Sequence, residues 1–277
     1  MNGGPENAAA AGRLNSKKRV KALGTTIGAV YTALVYAIIY LPIGVLVAFS
    51  FNRSKINAVW QGFTLDWYRA LFHDRLILEA AKNTLIIGIT ATIISTMIGT
   101  LAAVGMYRYH FRGKSVLDSL LYIPIVIPEV VLGISLLALF AIFKVRLGLN
   151  TLILSHITFC IPFVVVTVKA RLAGFDRNME EAAMDLGASQ WQTFVKVTLP
   201  LIMPGVAAGA LLAFTLSIDD VIISFFVAGP GSTTLPLKIY AMVKQGVTPA
   251  VNALSTIMLL LTFIVTIAAE GLRSRAN

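Results

Sequence analysis

The carboxylates Glu129, Asp219 and Asp220 fall in stretches apolar enough to cross a bilayer. An acid in that setting is costly and faces a bundle interior or a water-filled cavity. Ser217 lies on the same stretch as the aspartates, close enough to add a hydroxyl. These two stretches hold no lysine or arginine, so the acids call for a cation from outside. A flexible diamine suits them: ammonium groups meet separated carboxylates while the methylene stem lies on aromatic rings. Trp67 is placed to line the mouth of such a pathway, or else to belong to an interfacial aromatic belt. Asp219 lies about 21 Å along a helix from Gly205, mid-depth to the outer leaflet. Adjacent helical residues point about 100° apart. Asp219 and Asp220 therefore cannot both face one cavity. One is left for cargo and the other for a neighbouring subunit, unless both pin helices.

Other chemistries find no support. Gly229-Pro230-Gly231-Ser232-Thr233-Thr234 has the residues of a phosphate loop but lacks its spacing. His73, His110 and His156 are scattered, and a lone histidine in a span is expected to be hydrogen-bonded structure. No nucleophile is paired with a base, so no catalytic residue and no metal site is expected. Cys160, the single cysteine, is expected to pack as a small hydrophobe.

The elements that position these residues follow from composition. Of 277 residues 57% are hydrophobic and 13% charged, against about 25% charged in a soluble domain. The net charge of +10 comes without interleaved aromatics, which argues against nucleic acid. Six spans meet the length criterion of about 20 residues: 27–49, 84–106, 116–143, 151–168, 205–227 and 251–272. Residues 25–272 are expected to form one transmembrane domain between a tail at 1–24, its first fifteen or so residues unstructured, and a short tail at 273–277. Lysine and arginine favour the tails and the segments around 108–114 and 169–196. That bias puts both termini and the 169–204 loop in the cytoplasm. Residues 64–73 read as a short amphipathic helix on the other side. Gly205 and Gly209, with alanines between and beside them, allow close helix packing.

The 169–204 loop is too regular to be a flexible connection. Asn178 with Glu181, and Ser189 with Gln192, have the form of capping boxes. Gly187 stands where a left-handed residue ends the first helix, and Pro200 is expected to end the second. Trp191, Phe194 and Val195 would need a surface to cover them. The product is two short helices bent at a glycine: a docking knob.

The pattern Glu181-Ala182-Ala183, Gly187, Val197 and Leu199-Pro200, within Glu180-Glu181-Ala182-Ala183-Met184-Asp185-Leu186-Gly187, resembles the EAA loop of ABC importer permeases. Val197 replaces the usual isoleucine. Further stretches are similar to the second permease subunit of spermidine/putrescine importers, the PotC type. They are Val59–Thr64, Tyr107–Lys114, Ser155–Pro162, Phe214–Asp220 and Leu235–Tyr240. That subfamily often has aspartate where this chain has Glu129.

The resemblance implies an all-α polytopic membrane protein with the six-helix, type I (MetI-like) permease fold. It implies ATPase docking through Glu180, Glu181, Ala182, Ala183, Asp185, Gly187, Leu199 and Pro200. The implied partners are a PotB-type second permease, a PotA-type ATPase dimer and a PotD-type periplasmic polyamine-binding protein in the bacterial inner membrane. ATP and magnesium would sit on the ATPase, with no cofactor on this chain. A permease for another cargo shares these features. A cation-coupled secondary transporter would have no use for the loop.

Overall fold

The computed structural model describes the backbone of residues 5–54 and 59–276. The helices are α1 (Pro5–Phe49), α2 (Asp66–His73), α3 (Arg75–Arg108), α4 (Lys114–Val126), α5 (Glu129–Ile142) and α6 (Leu149–Leu172). They continue with α7 (Asn178–Asp185), α8 (Gln190–Thr193), α9 (Leu199–Asp219), α10 (Ile222–Val227), α11 (Leu235–Gln245) and α12 (Pro249–Ala276). Among the described residues the only β pairing is an isolated bridge between Asn52 and Phe63.

Among the described residues five helical segments are long and apolar enough to cross a membrane, and the bent α4–α5 pair makes a sixth if it is one broken span. Three points bear on the expected spans. First, the span at 116–143 is interrupted, as Pro124 and Pro128 lead one to expect: α4 and α5 meet at 110°. Pro128 has no N–H and disfavours helical backbone at the residue before it, and Ile127 is extended at φ −68°, ψ 137°.

Second, Pro200 ends nothing. A π-helical turn over Phe194–Thr198 joins α8 to α9, giving a continuous helical segment from Gln190 to Asp219. The wide turn shifts the hydrogen-bond register, with Leu199 N–H bonded to the Phe194 carbonyl, just before the missing donors of Pro200 and Pro204. Third, the tail is helical from Pro5, where proline in the first turn and the Ala8–Ala11 run favour a helix. Met1 to Gly4 and Asn277 lie outside the described residues.

α3, α6 and α9 form the core, burying Ile87, Ala103, Val164, Val165, Val168 and Ile202 among others. Glycine permits the closest approach. A Cβ on Gly205 would lie 2.6 Å from Cβ of Arg171 on α6, and one on Gly209 would touch Val164. Cys160 is buried here, its Sγ 3.4 Å from the Ala213 carbonyl. Outside the core, large apolar side chains such as Ile38, Leu41, Ile93 and Phe263 lie exposed, as on a lipid- or subunit-facing surface. Hydroxyls on these helices bond back to the carbonyl four residues earlier, among them Thr158, Thr167, Thr215 and Thr262. These four hydroxyls are thus satisfied within their own helices.

At the end of the bundle away from α7, the side chain of Asn52 organises the loop between α1 and α2. It donates to the Val59 carbonyl and accepts from Gln61 N–H. The amphipathic helix expected over 64–73 is α2, and its Leu71 is buried against Ile77, Ala253 and Leu254. The Gly229–Thr234 segment is tied down by its neighbours: Asn83 Nδ2 donates to the Gly231 and Thr233 carbonyls. Ser232 Oγ closes onto Gly229, and Thr84 Oγ1 accepts from Leu235 N–H.

Candidate functional site

Two regions carry the residues singled out above. The first is the loop between α6 and α9. α7 ends in a Schellman arrangement, with Ala188 N–H bonded to the Ala183 carbonyl and Gly187 N–H to that of Met184. Gly187 has φ +88°, open to glycine and costly to residues with a Cβ. The Ser189–Gln192 capping box forms in both directions. The Asn178–Glu181 box does not: Asn178 is itself the first helical residue, and Asp176 Oδ1 accepts its N–H at 3.0 Å.

Within this loop the acids divide. Glu181 and Asp185 are exposed. Glu180 is turned inward, 5% exposed, and its Oε1 accepts from Nη2 of Arg108 at 2.6 Å and from the Thr198 hydroxyl. Ala182 is exposed and Ala183 half-buried, while Leu199 packs against the core and Pro200 is exposed beside it. Met184, Leu186 and Trp191 lie exposed on the outer surface, Leu186 at 90%. A leucine held that far out has no apolar neighbour to cover it within this chain.

The second region is mid-span, where two membrane segments break. Asp220 ends α9 in extended backbone (φ −66°, ψ 126°). Its Oδ1 accepts from Ile223 N–H at 3.0 Å, and its Oδ2 from the N–H and hydroxyl of Ser224, both at 2.8 Å. His156 of α6 completes a buried cluster. Its Nε2 lies 3.4 Å from Asp220 Oδ2 and 3.2 Å from Ser224 Oγ, and its Nδ1 lies 2.7 Å from Ser217 Oγ.

Asp219 points elsewhere. It is exposed and lines a cavity of about 570 Å³ with Leu46, Val221, Ile239, Tyr240 and Met258. The cavity is apolar apart from the carboxylate and a few hydroxyls. Lys244 Nζ lies 4.8 Å from the centroid of the Tyr240 ring. Glu129 opens α5, just past the 110° bend, half-buried and with no hydrogen bond or ion pair to another described residue. Trp67 lies apart from both acids: its Nε1 donates to the Asn52 carbonyl at 2.8 Å, and its ring packs near Leu71.

The structure thus joins Asp220 and Ser217 through His156, and leaves Asp219 and Trp67 outside that cluster. His156 is hydrogen-bonded structure, as expected of it, but sequence reasoning did not place it beside Asp220, and it missed the roles of Ser224, Arg108 and Thr198 and the Lys169–Asp118 ion pair at 2.5 Å. Arg108 and Lys169 signalled only orientation. A depth count places His156 near the outer end of α6 and Asp220 at the outer end of α9, a weak signal for their meeting.

A model of the family described as binding-protein-dependent transport system inner membrane component matches residues 95–277. The chain belongs to that family. It is 50% identical over 240 residues to the spermidine/putrescine transport system permease protein PotC of Escherichia coli K12, covering 87% of this chain and 91% of that one. Against the protein of the same name from Haemophilus influenzae it is 44% identical, covering 88% and 95%. Against the putrescine permease protein PotI of Escherichia coli K12 it is 41% identical, covering 87% and 89%.

As an inner membrane component it also shares a fold with solved transporters. A bacterial alginate ABC importer superposes with a TM-score of 0.73 at 17% identity, covering 94% of this chain and 99% of the other. A methionine ABC transporter gives 0.61 at 18% identity, covering 73% and 96%. The fold is that of a type I ABC importer permease, and the protein is multi-pass in the inner membrane.

Proposed function

We propose that this inner membrane component is the permease subunit of an ATP-driven importer of spermidine and putrescine, forming half of the translocation pathway. The observation that carries this reading is 50% identity, over 87% of the chain, to a protein named for that transport system. Asp219 and Glu129, neither ion-paired with another described residue, agree with a cationic cargo.

Both termini and the α7–α8 loop face the cytoplasm. There Glu181, Ala182, Ala183, Asp185 and Gly187, with Met184, Leu186 and Trp191, seat in an ATPase subunit of the PotA type. A PotB-type permease supplies the other half of the pathway, and a PotD-type periplasmic protein delivers the polyamine. ATP and magnesium are held by the ATPase alone.

Asp219, in a cavity bounded by Tyr240, suits one ammonium end of the cargo, and Glu129 suits another. Asp220 and Ser217 hold the helix break that sets Asp219 outward, and Trp67 supports the outer mouth from beneath. Closure of the ATPase pair moves the loop, and the loop moves the broken helices, so that the cavity changes its side of access.

Reconstitution with all three partner types should give ATP-dependent uptake of labelled putrescine or spermidine. Polyamine uptake by this chain alone, or uptake by the full complex of an unrelated solute in preference to polyamines, would refute the reading.

A further inference from the structure

Glu180 stands next to the exposed Glu181 yet points the other way. Its side chain is 7% exposed, and that of its partner Arg108 is 16% exposed. Arg108 is the last residue of α3, while Glu180 lies in the first turn of α7. Nη2 of Arg108 donates to Glu180 Oε1 at 2.6 Å and to Thr198 Oγ1 at 2.9 Å, and its Nε is buried with no partner. Thr198 ends the π turn that leads into α9 and donates to the same carboxylate. One buried oxygen therefore joins three elements: the foot of α3, the short helix α7 and the root of α9.

The surroundings brace this joint. Tyr107 donates from its hydroxyl to the Phe175 carbonyl at 3.2 Å. Arg177 lies over the Tyr107 ring, 5.6 Å from its centroid. A charged pair this buried is held by the geometry of its hydrogen bonds, and removing one member strands the other.

We infer that the Arg108–Glu180–Thr198 joint is a strut that carries motion of α7 directly into α3 and α9, making Glu180 a positioning residue and not part of the surface that meets the ATPase. The inference rests on the coupling role proposed above. Without the strut, α7 keeps the Arg177 contacts with Tyr107 and the Arg108 carbonyl and its chain connections to α6 and α9, through a turn on one side and a left-handed glycine on the other. Movement imposed on the loop would then be absorbed at those bends. With it, displacement of α7 pulls on two core helices at once. The exposed acids and apolar side chains of the loop make the contact; Glu180 passes it on.

The test uses the complete reconstituted complex and three readouts: ATPase co-purification, ATP hydrolysis, and polyamine imported per ATP. Glu180→Gln and Arg108→Gln should keep the ATPase bound while polyamine imported per ATP falls by about 3- to 30-fold, the range for residues that carry coupling. The double variant R108Q/E180Q, with no stranded charge, should recover part of that loss, because residues acting as a unit are non-additive. Thr198→Val leaves no charge unpaired, preserves shape and should fold; a loss of roughly twofold in imported polyamine per ATP is expected for it.

Loss of ATPase binding in Glu180→Gln would make Glu180 a docking residue and overturn the strut. Normal import per ATP in Thr198→Val, or strictly additive losses in the double variant, would overturn it too. Glu181→Lys in the same series reads the docking proposal separately, through loss of ATPase co-purification alone.

Discussion

Adjacent acids in this chain have opposite surroundings, and this happens twice. Asp220 is enclosed by Ile223, Ser224 and His156, whereas Asp219 opens on a cavity. Glu180 is bonded to Arg108 and Thr198, whereas Glu181 is exposed. Each member of these pairs should therefore fail differently. His156→Ala removes a buried polar neighbour of Asp220 and the partner of Ser217 and Ser224, costing about 1–3 kcal/mol as for other buried groups left short of a partner. Its thermal unfolding midpoint in detergent should drop; an unchanged midpoint would show the cluster contributes nothing to stability. Asp219→Asn should leave unfolding and assembly unaltered while lowering polyamine uptake, and full uptake by that variant would remove Asp219 from the pathway. The acids were legible as a set from residue type and depth. Their division was not, because it depends on which helix faces each side chain.

At the scale of elements, the loop between α6 and α9 was readable where local chemistry decides and misread where register does. The left-handed Gly187 and the Ser189–Gln192 box form as expected, since both are settled within a few residues. Pro200 was expected to stop a helix, but the π turn before it absorbs the missing donor. Pro128 did break its span, by 110°. The difference is the backbone of the preceding residues, which sequence alone does not set. Gly187→Val would force a β-branched residue to φ +88°, at a cost of roughly 1–2 kcal/mol. The bend between α7 and α8 should open, and the ATPase should co-purify less well; unchanged recovery would mean the bend has no part in docking. Gly205→Leu would collide with Arg171, so α9 should separate from α6 and the yield of folded protein should fall.

The molecule as a whole has a small core of α3, α6 and α9, with much apolar surface left outside it. Leu186 and Trp191 at the loop, and the unburied Gly24–Phe49 segment of α1, are apolar surfaces left open to lipid or to other subunits. Under the proposed function, Glu181→Lys should abolish ATP-driven uptake without preventing membrane insertion. Retention of both uptake and ATPase stimulation would sink the docking role of the loop.

The sequence by itself determined the class of protein, its long apolar helices, the loop with its glycine bend and the acids within the apolar segments. Those properties come from hydropathy, spacing and local backbone preference, which act over a turn or two of chain. Tertiary structure decided that His156 meets Asp220, that Arg108 meets Glu180, and that Asp219 faces a cavity its neighbour does not. Such pairings join positions some 60 to 70 residues apart, and they exist only once helices are packed at a particular rotation and depth, which no local signal fixes.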